Sequence, residues 1–175
     1  MTSARFSRTI DAGWENARRQ RVGVGQTSGT TPDVHVLVDG DDGRLVIDVF
    51  GPRLQSFTFS AVEIWHGLVV IGFGSALHVV RPSTGWSLYV AVSSYFSSLY
   101  IGDAETDVCL VATDSEILRL TPEGQILWRR GDLGADGVII SDVEDGVIKA
   151  SGQWDPPDAD WMEFRLSLAT GEKLA

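Results

Sequence analysis

From Val34 onward the apolar residues come in short runs, and turn-forming residues separate the runs. VHVLVDG, DDGRLVIDVF, QSFTFSAVEIW, LVVIGF, SALHVVRP, WSLYVAV, DVCLVAT, SEILRLT, QILWRR, GVIISDV, GVIKASGQW and WMEFRLSL are rich in Val, Ile, Phe, Tyr or Trp, and several alternate apolar with polar. Period-two alternation over so few residues is the mark of a half-buried strand. The joints DGDDG, FGS, PSTG, ATDS, TPEG, EDG and ATGE have hairpin-turn chemistry. The pattern predicts an all-β antiparallel meander from residue 34 to 175. Helix signals are confined to WENARRQR, Trp14 to Arg21, which predicts one short N-terminal helix stopped by Gly23. Residues 1–33 read as a less regular segment, and Leu99 to Thr106 as a connection in which Leu99 to Ile101 could instead extend a strand.

A repeat underlies the meander. ALHVVRPSTGWSLYV, EILRLTPEGQILWRR and EFRLSLATGEKLA each carry an apolar strand, a turn with glycine, and a second strand. Gly85, Gly124 and Gly171 occupy the equivalent turn position, 39 and 47 residues apart, where a type I turn followed by a residue at positive φ is expected. A period of about 40 residues with three or four strands is the size of one propeller blade. RPSTGWSLY, TPEGQILW and LATGEKL resemble quinoprotein-type propeller repeats, in which a strand ending in a sequence such as LDxxTGxxxW turns into the next. The resemblance spans residues 65–175 and implies a small or incompletely closed propeller-like arrangement, with no activity attached. The ending carried by Trp154, Asp155, Pro156, Pro157, Trp161, Phe164, Arg165, Leu166, Leu168, Ala169, Thr170 and Gly171 also resembles a family of uncharacterised bacterial proteins with a WDPPxxW…FRLxLATG pattern.

Length adds one constraint: 175 residues suit a single domain, 1–175, with one core. No apolar run reaches the ~18 residues of a spanning helix, and no apolar stretch follows the N-terminal arginines. With a lone Cys109 inside DVCLVAT, read as a core residue, this predicts a cytoplasmic protein.

Catalytic patterns are thin. No G-x-S-x-G occurs, and His35, His66 and His78 read as structural residues without metal-ligand spacing. Asp39, Asp41 and Asp42 resemble a calcium loop but lack its closing Glu, so a hairpin turn accounts for them. VGVGQTSG lacks the third glycine of a dinucleotide loop. No catalytic residue, cofactor or metal is assigned, and the balance falls against an enzyme.

Charge points to a partner. The net charge is −10, and the run from Asp132 to Glu163 holds nine acids against Lys149 alone. Such a body repels nucleic acid and attracts basic surfaces. Within this run, SGQWDPPDADWMEF interrupts the last repeat with a proline-stiffened loop flanked by Trp154 and Trp161. Stiffly held aromatics are typical interface anchors; the competing reading is that both indoles fold inward as a cap. The expected function is non-enzymatic protein–protein recognition of a basic partner, in the manner of an immunity or antitoxin protein, through Trp154, Asp155, Asp158, Asp160, Trp161 and Glu163. Two alternatives stay open: a carbohydrate or other small-molecule site, or a hydrolase, using the two indoles with nearby carboxylates, and self-association through sheet edges.

Overall fold

The structure, a computed structural model, describes residues 2–25, 29–51, 59–103, 106–154 and 160–175. The fold is all-β. The described residues form fifteen strands: β1 Ser3–Ser7, β2 Arg18–Gly23, β3 Val34–Gly40, β4 Gly43–Phe50, β5 Ser60–Trp65, β6 Leu68–Phe73, β7 Ala76–Arg81, β8 Trp86–Ala91, β9 Phe96–Ile101, β10 Cys109–Thr113, β11 Ile117–Leu120, β12 Ile126–Arg130, β13 Val138–Glu144, β14 Val147–Gln153 and β15 Trp161–Ser167. They form four small sheets with orders β1-β3-β4-β2, β5-β6-β7-β8, β12-β11-β10-β9 and β13-β14-β15. Contacts gather the chain into two compact units, Met1–Ala91 and Val92–Ala175. Among the described residues no helix is long and apolar enough to cross a membrane.

Each apolar run from VHVLVDG to WMEFRLSL forms a strand, and two repeat hairpins form as read, β7 with β8 and β11 with β12; in the third, β15 is followed by an isolated bridge at Lys173 rather than by a strand. The N-terminal helix is not there. Residues 11 to 17 make two turns, Asp11 to Trp14 and Trp14 to Ala17, closed by amide bonds of 3.1 Å each. The chain then enters β2, which pairs with β4 in the one parallel pairing among the described residues, while β1 skips β2 to pair with β3. Helix formers here yield to tertiary pairing. Arg19 donates to buried Asp48 from Nε and Nη2, and Arg21 lies 4.5 Å over the Phe50 ring.

In the first unit the facing sheets share a core of Val22, Val34, Val36, Val38, Leu45, Ile47 and Val49 against Val69, Ile71, Phe73 and Val80. The far side of β3 and β4 is covered by Ile10, Trp14 and Ala17, which pack on Leu37 and Val46. That cover explains why LVIDVF is buried throughout rather than alternating. In the second unit Leu110, Ala112 and Ile117 of one sheet meet Val138, Ile148, Ala150 and Leu166 of the other. Cys109 is buried, and burial pushes its thiol pKa up to about 12, so it stays a protonated core residue.

Two of the three repeated turns are alike in detail, while at the middle one Gly124, at φ 89°, donates to Thr121 O three residues back at 2.8 Å. Gly85 and Gly171 both have φ 72°, and each donates its amide to the carbonyl four residues back, Arg81 at 3.0 Å and Ser167 at 2.8 Å. The preceding Thr84 and Thr170 hydroxyls each accept the amide two residues on at 3.3 Å. The turns differ in their surroundings: a Cβ at Gly85 meets nothing within 4 Å, whereas one at Gly171 would sit 2.8 Å from the Trp128 ring. Gly85→Ala should cost about 1–2 kcal/mol, for left-handed backbone alone. Gly171→Ala should cost at least about 1 kcal/mol more, because the indole must also move. Denaturant melts of the two variants check this; equal losses would refute the packing of Trp128 on the third turn.

Candidate functional site

The acidic, tryptophan-containing stretch is built on the sheet β13-β14-β15. Registers place Val138, Gly152 and Met162 in one row, Ile140, Ala150 and Phe164 in another, and Val143, Ile148 and Leu166 in a third. Opposite residues of antiparallel strands share a face, and these rows include the residues that pack into the unit's core. The alternate rows, Gln153 with Trp161, and Ile139 with Ser151 and Glu163, therefore share the other face. That face is open to solvent: Ile139 is 47% exposed, Trp161 41% exposed, and Glu163 is also exposed.

Trp161 has a built seat. The six-membered ring of its indole stands over Gly137, where an added Cβ would lie 3.0 Å from Cη2. Gly137 is itself fixed, donating to Asp114 O at 2.8 Å and accepting from the Gln153 amide at 3.0 Å. The indole is thus neither a buried cap nor a loose side chain. It rests on backbone and leaves much of its surface to water.

Trp154 is equally open, at 40%, but it belongs elsewhere. Its ring lies 5.7 Å from the ammonium of Lys173, and the Phe164 ring lies 5.8 Å from the same group. Lys173 pairs with Leu166 in an isolated bridge, and its Nζ donates to Asp132 O at 3.3 Å. Phe164 and Leu166 point to the core-facing side of the sheet, opposite to Trp161. The two indoles therefore flank one loop in sequence yet serve opposite faces of the sheet. A single stacking platform for a sugar, needing both rings in one plane, is not what this arrangement offers.

Of the other expected site residues, Asp160 and Glu163 are exposed, and Asp155 and Asp158 lie outside the described residues. Neither Asp160 nor Glu163 makes an ion pair among the described residues. Lys149 is already held by Glu144 at 2.6 Å and Asp142 at 3.1 Å, and those bonds raise its pKa. Sequence reading missed Ile139, Met162 (59% exposed), Phe164 and Lys173. Alternation in GVIISDV could have flagged Ile139; nothing local could have paired Lys173 with Trp154.

The histidines take structural places. His35 Nδ1 lies 2.7 Å from Asp48 Oδ1, and Arg19 Nη2 donates to the same carboxylate at 2.8 and 2.9 Å, which ties β2 and β3 to β4. His66, at φ 48°, forms the β5–β6 turn with Gly67. His78 is wholly buried between Ile71 and Tyr89, with no hydrogen bond to either ring nitrogen among the described residues. Among the described residues no group of three His, Cys, Asp or Glu could hold a metal ion. Cavities of about 290 and 360 Å³ in the first unit and about 270 Å³ in the second are lined by other residues than Trp154 and Trp161.

No family model matches the chain, and no curated protein is similar to it. Among solved structures, the Neurospora crassa Pan2 WD40 domain is similar, with a TM-score of 0.46 and 12% identity over 81% of this chain and 45% of that one. The chain thus spans about half the length of that domain.

His78 supplies a test of the core. Burial lowers its pKa from 6.5 to about 4. Between those values the unfolded chain binds a proton that the folded chain refuses, so stability falls as pH drops through the window. The loss should be on the order of 3 kcal/mol by pH 4. In His78→Leu this contribution disappears, and the pH 4–6.5 stability profile measured by urea melts should be flatter by that amount. An unchanged profile would show that His78 does not titrate on unfolding.

Proposed function

We propose that the protein acts without catalysis, by recognising a basic protein partner on the surface of the β13-β14-β15 sheet. The observation that carries this reading is the seat of Lys173, whose ammonium lies near both Trp154 and Phe164. Two aromatic rings near one ammonium are favourable for cation binding, and here the chain's own lysine takes that place. Trp154 is exposed at this seat, Trp161 and Ile139 are exposed on the opposite face, Met162 is exposed on β15, and Asp160 and Glu163 add carboxylates without ion pairs among the described residues. Exposed aromatics seated on a rigid sheet lose little entropy on association, and surrounding acids favour a basic counterpart. Neutralisation of a basic toxin by an immunity or antitoxin-like protein is one use that this chemistry fits.

The experiment is affinity purification from source cells with the wild-type chain and with Asp155, Asp158 and Asp160 all changed to Ser, eluted by a salt gradient. A basic protein should be retained by the wild type. Its affinity should fall about tenfold in the triple variant, since each rim charge contributes up to about 1 kcal/mol, and its elution should become less salt-dependent. Retention of the same protein with unchanged salt dependence would overturn the role of the acids.

A further inference from the structure

The sheet β13-β14-β15 has three strands where the others have four. Its outer strand, β15, carries the beginning of a fourth. Lys173 bridges Leu166, the Leu174 amide donates to Arg165 O at 2.9 Å, and the Ser167 amide donates to Glu172 O at 2.8 Å. Those bonds show which backbone groups of β15 face away from β14. Arg165 and Ser167 do, and alternation turns the amides and carbonyls of Glu163 and Trp161 the same way. Among the described residues no backbone bond is made to Glu163 or Trp161 on that side.

We propose that β15 accepts an extended, lysine-bearing segment of a partner protein as the fourth strand of this sheet, displacing Lys173 and Leu174 from the start of the same track. This rests on the basic-partner reading and adds its geometry. An added strand sends alternate side chains to the two faces of the sheet. On one face they meet Phe164 and Trp154, which already hold an ammonium. On the other they meet Glu163 and Trp161. Carboxylate and aromatic rings favour a cation on both, so lysine at successive positions is tolerated and acidic side chains are not.

The probe is a capped eight-residue peptide alternating lysine and valine, with a glutamate–valine peptide as control, titrated against the full chain by tryptophan fluorescence. Amide hydrogen exchange is read on the same samples. The lysine peptide should bind the wild type and newly protect the amides of Trp161 and Glu163; the glutamate peptide should not bind. Lys173→Ala removes the competing ammonium and should bind about three- to tenfold more tightly. Glu163→Pro removes one outward amide that β14 does not use, so the sheet is kept, and affinity should drop about five- to tenfold.

The exchange result in the wild type needs no variant to fold. Binding without new protection at Trp161 and Glu163 would overturn strand addition while leaving recognition of a basic partner standing. Binding of both peptides alike, or of neither by wild type and Lys173→Ala, would also overturn it. The salt-gradient purification judges the basic-partner reading separately.

Discussion

Each unit depends on two small sheets hiding one face apiece from water against the other. A sheet that is apolar on one face must bury that face against another element. Once Val36, Ile47 and Val49 lie against Val69, Ile71 and Val80, or Leu110 and Ile117 against Ile148 and Leu166, each fully buried side chain contributes about 1.5–3 kcal/mol. Turns, caps and ion pairs contribute less per residue, and they decide where the strands go rather than whether they form. Trp128 shows the division: it packs on the Gly171 turn and donates to Leu168 O at 2.9 Å, locking one sheet's edge to the next sheet's hairpin.

The strands that sequence makes plain are those whose burial is carried by their own apolar residues. VHVLVDG, LVVIGF and DVCLVAT contain the reason for being strands, and the repeated glycines contain the reason for the turns. SARFS, RRQRVG and FSSLYI do not. β2 is held by a parallel partner far along the chain, by the carboxylate of Asp48, and by the ring of Phe50. Its arginines and glutamine are good helix formers, so local preference points the wrong way. Asp48 itself sits inside the apolar run LVIDVF; only the structure brings His35 and Arg19 to it.

The candidate surface was legible in part. Acid content, two indoles and a stiff insertion mark the stretch after Ser151 as unusual, and the sheet does present both indoles to solvent. Adjacency along the chain was misleading about their grouping. Gln153 pairs with Trp161, and Phe164 stands three residues further on, so alternation puts Trp161 and the Phe164–Lys173–Trp154 group on opposite sides. What completes each group, Gly137 for one and Lys173 for the other, comes from elsewhere in the chain and has no local signature.

Exposed sheet edges are a liability that natural proteins blunt with charge, with short strands or with cover. β15 has two of these in miniature: charge, in Arg165 and Glu163 along it, and cover, in the bridge to Lys173 over it. Two backbone bonds at about 1 kcal/mol net each and an exposed cation–π contact at about 0.5–1 kcal/mol make that cover weak. It is enough to discourage indiscriminate pairing. A strand that continues the ladder to Trp161 makes more backbone bonds than the cover does and keeps a cation at Trp154 and Phe164. The same residues can therefore protect the edge against most chains and concede it to one that carries lysine in the right register.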